Sequence, residues 1–243
     1  MVTIPTDDPL AIAVVEAIHT GDVEALERLL HENPGLATAR LGADHDMTRT
    51  LLHVVTDWPG HFPNGAATVA ALVEAGADVN ARFTGPHTET PLHWAASSDD
   101  VDVLDALLDA GADIEAPGAV IAGGTPLTDA TAFAQWNAAR RLVERGAITP
   151  LREAAALGLM DRVEQYCADD PPATHDAITQ ALWYACHGGQ QRAAEYVLER
   201  GAELNWISTW DQLTPFDAAR RSGADDLVEW LRSRGAKSAA ELS

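Results

Sequence analysis

The chain has 243 residues, 47% of them hydrophobic, which is ample for a core, and no window has the composition of a disordered segment. Its net charge of −21, from 16 basic and 37 acidic side chains, weighs against nucleic acid or an anionic membrane surface as partner, because phosphate would be repelled. No run of 18 apolar residues exists to span a membrane.

The chain opens on "MVTIPTDDPLAIAVVEAIHTGD", which has no basic leader and no small-residue cleavage site, and whose apolar residues keep helical spacing. A folded helix and a cytoplasmic protein are expected. The segment 14–30, "VVEAIHTGDVEALERLL", is a partial copy of a pattern that recurs along the chain. Next comes "RTLLHVVTDWPGHFPNGAATVAALVEAGADVN" at 49–80, then "NARFTGPHTE" at 80–89 and "TETPLHWAASSDDVDVLDALLDAGADIE" at 88–115. An apolar, Gly-rich stretch, "APGAVIAGG" at 116–124, leads into "GGTPLTDATAFAQWNAARRLVERGA" at 123–147. A partial copy at 149–166, a copy at 181–205, the aromatic stretch "NWISTWDQ" at 205–212 and a last copy at 212–236 complete the chain.

These segments repeat one pattern. Thr90 and Gly111, Thr125 and Gly146, and Thr214 and Gly235 are each 21 positions apart, and Gln180 holds the Thr place before Gly201. The Thr can cap a helix whose first turn accepts Pro, and the Gly takes the left-handed position that ends the second helix. Paired small residues such as Ala95 and Ala96 let helices approach, and Leu104, Leu107 and Leu108 supply an apolar face. The copy starting at Thr50 reaches its Gly76 only after 26 positions, so it carries five extra residues. Pro59–Gly60 and Pro63 with Asn64–Gly65 place them in a loop between paired helices.

The motif "TPLHWAA" at 90–96, followed by "LLDAGADIE", resembles the ankyrin-repeat family, and the resemblance runs through nearly the whole chain. It implies an all-α solenoid of about seven stacked helix-turn-helix units, the first and fifth degenerate, with extended fingers and a concave groove, as one domain over 1–243. It also implies recognition without catalysis, with the motif histidines His53 and His93 as structural hydrogen-bonding elements.

Function is therefore sought where the chain departs from the pattern. The inserted loop displays Trp58, His61 and Phe62; the 80–89 finger offers Arg82, Phe83 and His87; Trp94 follows the motif His; and Trp206 and Trp210 stand on a late finger. Aromatic side chains with a few polar groups form partner anchors and ligand pockets alike. The expected binding residues are Trp58, His61, Arg82, Phe83, His87, Trp94, Trp206 and Trp210, although mutual packing would equally account for Trp206 and Trp210. Residues 1–124 hold 4 basic and 20 acidic side chains, against 12 and 17 in 125–243, so a basic protein surface is the expected partner.

The alternative is a small-molecule pocket, or an unusual enzyme, in repeats two to four, lined by Asp57, His61, His87 and Trp94, with Asp57 and His61 as a possible acid–base pair. No nucleophile motif stands beside that pair. His53, Asp57 and His61 are spaced four apart, but Pro59–Gly60 breaks the helix before His61, so no metal site is expected, and no motif calls for a cofactor. Asp99 and Asp100 suit a helix N-terminus; Asp102, Asp105 and Asp109 suit a solvated face. Cys167 and Cys186 lie in helical patterns and read as buried free thiols. Both ends look capped, so a monomer is expected rather than self-association through the 205–212 finger.

Overall fold

The structure is a computed structural model that describes residues 2–42, 47–169 and 171–242. The chain forms two compact units, Met1–Ala147 and Ile148–Ser243, taken here one at a time.

Unit 1 is built from helix pairs: α1 (Pro9–Thr20) with α2 (Val23–Glu32), α3 (Leu51–Val55) with α4 (Gly65–Glu74), α5 (Pro91–Ser97) with α6 (Val101–Asp109), and α7 (Pro126–Ala132) with α8 (Trp136–Glu144). Thr50, Thr90 and Thr125 each close a capping box at the start of a first helix, and Asp8 and Asp22 cap α1 and α2. Second helices end where Gly76, Gly111 and Gly146 take positive φ angles of 96°, 93° and 99°, which a side chain would resist. First helices stack on first helices, as α5 does on α7, and second on second, as α4 does on α6 and α6 on α8. The fully buried Ala95 and Ala96 let α5 sit close to its neighbours. Leu52, Leu72, Leu92, Leu104, Leu107, Leu127 and Leu142 are fully buried between the layers, each contributing about 1.5–3 kcal/mol.

A three-stranded ribbon accompanies the first pairs: β1 (Thr3–Ile4) runs parallel to β2 (Arg40–Leu41), which runs antiparallel to β3 (Arg49–Thr50). Arg40 fastens it, donating from Nε to Thr48 Oγ1 at 2.6 Å and from Nη2 to the carbonyls of Thr48 and Arg82.

Unit 2 holds α9 (Leu151–Leu157) with α10 (Met160–Ala168), α11 (His175–His187) with α12 (Gln191–Leu198), α13 (Pro215–Arg221) with α14 (Asp225–Ser233), and a terminal turn, α15 (Ala239–Leu242). Seven pairs among the described residues thus match the seven repeats, and the degenerate first and fifth copies form pairs like the rest. One detail differs. Gln180 does not start its helix: Thr174 caps α11, its Oγ1 accepting the Ala177 N–H at 3.2 Å, and Gln180 lies inside. Without a proline at the motif position, nothing stops the helix from starting earlier.

Candidate functional site

The inserted loop is held on both sides. Asn64, at φ 54°, donates from Nδ2 to the Gly21 carbonyl at 2.9 Å, and Phe62 stacks on His19 at 4.3 Å, both in the first pair. Toward the third pair, the His61 N–H donates to Asp100 Oδ2 at 2.7 Å, and His61 Nε2 donates to the Ser98 carbonyl at 3.0 Å. Asp100 also caps α6 through the Val103 N–H. The loop is therefore an ordered platform, and it leaves Trp58 81% exposed.

Beside Trp58 opens a cleft of about 260 Å³, lined by Thr56 and Asp57 from the turn, His87 and Glu89 from the 80–89 finger, Trp94, Ser97 and Ser98 from α5 and its end, and Val120 and Phe133. Glu89, only 5% exposed, forms its acidic floor. Its Oε2 accepts the Trp94 indole N–H at 2.8 Å and its Oε1 the Val120 N–H at 3.2 Å. His87 Nδ1 stands 2.7 Å from Glu89 Oε2, near enough for an ion pair though not aligned as a hydrogen bond. Behind Glu89 lies Asp129, fully buried, its carboxyl against that of Glu89. Burial, and then the adjacent Glu89 carboxyl, raise Asp129 well above the usual carboxylate range, so it stays protonated at neutral pH. Asp57 is occupied: its Oδ2 pairs with Arg49 and its Oδ1 accepts the Trp58 N–H at 3.0 Å.

Under the cleft, the motif histidines do structural work. His53 Nδ1 accepts from Thr50 Oγ1 at 2.8 Å, and its Nε2 donates to the Glu89 carbonyl at 3.2 Å. His93 repeats the arrangement with Thr90 Oγ1 at 2.9 Å and the Gly124 carbonyl at 3.4 Å. Both are buried neutral, and desolvation lowers them to about 3 and about 4 respectively. Each one ties its own helix start to the finger that follows.

The sequence-selected residues separate into three groups. Trp58, His87 and Trp94 meet at the cleft, joined by Asp57. His61 does not: it borders a second depression with Phe62, Asn64, Asp100 and Asp102. Arg82 and Phe83 are half-buried and engaged by the fingers themselves. Arg82 Nη1 donates to the Thr88 carbonyl at 3.0 Å and to the Pro117 carbonyl, bridging two fingers, and Phe83 packs between His87 at 4.9 Å and Trp94 at 5.5 Å. Trp94 itself packs edge-on to His53 at 4.9 Å. It is half-buried and structural as well as lining.

Two expectations are corrected. No hydrogen bond or ion pair joins Asp57 to His61, since Arg49 holds the first and the Ser98 carbonyl the second, so the acid–base pair is not assembled. The solvated acidic face of α6 is partly ion-paired: Asp105 pairs with Arg141 and Arg145 at 2.7 Å, and Asp109 with Arg145 at 2.6 Å. Asp99 accepts the Ala138 N–H at 2.7 Å at the start of α8. The sequence reading passed over Glu89, Asp129, Ser97, Ser98, Val120 and Phe133. One signal was present: Asp129 follows "TPLT" where Trp94 follows "TPLH". An acid at that buried position is a departure of the same kind.

In unit 2, Trp206 and Trp210 are packed together at 5.4 Å, and Trp210 lies 5.1 Å from Trp183 and 5.9 Å from Tyr184. Mutual packing accounts for both, although Trp210 remains 47% exposed. Cys186 is buried and Cys167 only half so; both are free. In unit 1 a larger depression, about 470 Å³ and mostly apolar, runs along α1 past Ile12, His19 and Leu41, and includes Arg49. Among the described residues, no group of three or more His, Cys, Asp or Glu could hold a metal ion, and no helix is long and apolar enough to cross a membrane.

Residues 10–118 and 63–152 match the family model described as "Ankyrin repeats (3 copies)". Over 186 residues, 73% of its length, the chain is 31% identical to an ankyrin repeat and KH domain-containing protein of Caenorhabditis briggsae, and it spans 7% of that protein. Among solved structures it is similar to the human ASB11 ankyrin repeat domain, with a TM-score of 0.51 and 21% identity, covering 92% of this chain and 84% of that one. That likeness bears on the fold alone.

Proposed function

Because this chain belongs to the ankyrin-repeat family, whose repeats generally serve protein–protein interaction, we propose that it is a non-catalytic module that holds a basic segment of a protein partner on the cleft side of unit 1. The observation that carries the reading is Trp58, a large aromatic 81% exposed on a pinned loop at the mouth of an acid-floored cleft. Such a side chain is exposed at a cost unless a partner covers it, and a Trp in a preformed setting is a typical anchor. Charge supports the same partner. Of the four arginines in residues 1–124, Arg40, Arg49 and Arg82 are engaged by partners within unit 1, and 20 acidic groups set the field. The reading takes the chain as a cytoplasmic monomer, in keeping with its two free cysteines.

The test is fluorescence anisotropy with length-matched Lys-rich, Arg-rich and Glu-rich peptides at two salt concentrations. Basic peptides should bind, bind less well as salt rises, and lose about tenfold in the Trp58→Ala variant. Equal binding of acidic and basic peptides, or no effect of Trp58→Ala, would overturn the reading.

A further inference from the structure

The cleft is chemically one-sided. Thr56 Oγ1 lies 3.1 Å from the Leu52 carbonyl, Ser97 Oγ 3.0 Å from the Trp94 carbonyl and Ser98 Oγ 2.8 Å from the same carbonyl. A carbonyl can only accept, so each hydroxyl spends its proton on the helix and keeps only lone pairs to offer. The Trp94 indole N–H is spent on Glu89. His87 Nδ1 is turned onto the Glu89 carboxyl at 2.7 Å. Glu89 and Asp57 accept only. His87 apart, the polar side chains lining this cleft therefore present lone pairs, and its walls are the rings of Trp58, Trp94 and Phe133.

We propose that this cleft is a subsite for one primary alkylammonium group, the side chain of a lysine in the partner. An ammonium has three donors and no acceptor, matching acceptors that converge from the turn, the end of α5 and the 80–89 finger. The aromatic walls suit a cation and its aliphatic stem. A guanidinium fits less well. Its planar fork wants both oxygens of one carboxylate, whereas both oxygens of Glu89 already accept from Trp94 and Val120, and both of Asp57 from Arg49 and Trp58. A quaternary ammonium has charge but no N–H to give.

This subsite rests on the basic-partner reading, and one experiment separates the two. In two-dimensional ¹⁵N NMR of the full chain, the Trp94 indole resonance is followed during titration with n-butylammonium, n-butylguanidinium, tetramethylammonium and 1-butanol at constant ionic strength. Butylammonium should shift it saturably and bind about tenfold tighter than tetramethylammonium or butylguanidinium; butanol should leave it unmoved. Trp58→Ala, a change at an exposed position, should weaken butylammonium about tenfold. Tetramethylammonium or butylguanidinium binding as tightly as butylammonium would overturn the proposal, as would an unmoved Trp94 signal. A Lys-rich peptide that binds while butylammonium leaves Trp94 unmoved would sink the subsite and spare the basic-partner reading. Failure of both ligands would sink both.

Discussion

His53 should make unit 1 sensitive to acid, by an amount the structure sets. Its ring is buried with Nδ1 facing the Thr50 hydroxyl and N–H, so it is neutral in the fold and held at about 3 against an ordinary 6.5. A depressed folded value means that the stabilisation is present above 6.5 and is lost as pH falls through that value toward 3. At pH 5 the unfolded chain binds the proton and the folded chain does not; about 1.5 pH units at about 1.4 kcal/mol each come to about 2 kcal/mol. Asp129, whose value is raised, works in the opposite direction, so the wild-type curve alone does not isolate the histidine. The comparison is with His53→Gln, measured by urea unfolding and circular dichroism at pH 7 and pH 5. At pH 7 the substitution should cost about 1–3 kcal/mol in lost hydrogen bonds, and at pH 5 that cost should be smaller by about 2 kcal/mol. A cost equal at both pH values would show that His53 does not carry its proton deficit into the fold.

Other perturbations follow from the same geometry. Trp94→Ala removes a half-buried ring and strips Glu89 of a donor, so thermal denaturation should show a loss of about 2–4 kcal/mol; an unchanged melting temperature would contradict the packing described. Asp129→Asn should gain on the wild type as pH rises from 5 to 8, because the raised folded value makes the wild-type contribution full below the ordinary 3.8 and lost upward from there. Paired thermal melts at the two pH values would read this, and a constant difference would refute it. Arg82→Ala frees the Thr88 and Pro117 carbonyls, so hydrogen exchange at the Val120 N–H should quicken while α5 stays protected.

The repeat architecture was legible because each signal is local: a Thr that caps, a Pro in the first turn, a Gly at the left-handed end, and spacing that keeps their order. The inserted loop was legible for the same reason, from Pro59–Gly60 and Asn64–Gly65. What it attaches to was not. The contacts of His61 with Ser98 and of Asn64 with Gly21 span 37 and 43 positions, and no periodicity reports them. Arg82 and Phe83 looked like surface anchors because finger tips are usually exposed; the length of this finger instead lets it fold back on Trp94 and His87. Glu89 and Asp129 were hidden by type, since isolated acids in an acidic chain read as solvent-facing. Only stacking reveals that two of them share one buried place.

The two-sided attachment of the 56–64 loop changes how the first three helix pairs come apart. In a linear array each repeat touches only the next, so the ends can fray one repeat at a time, each at its own stability. Here a segment of the second pair reaches back to Gly21 and His19 and forward to Ser98 and Asp100. Loosening the first pair therefore releases the platform that carries Trp58, and with it one wall of the cleft. The three pairs become one melting block, and occupancy of the cleft is felt in the first pair, which contributes no residue to its lining.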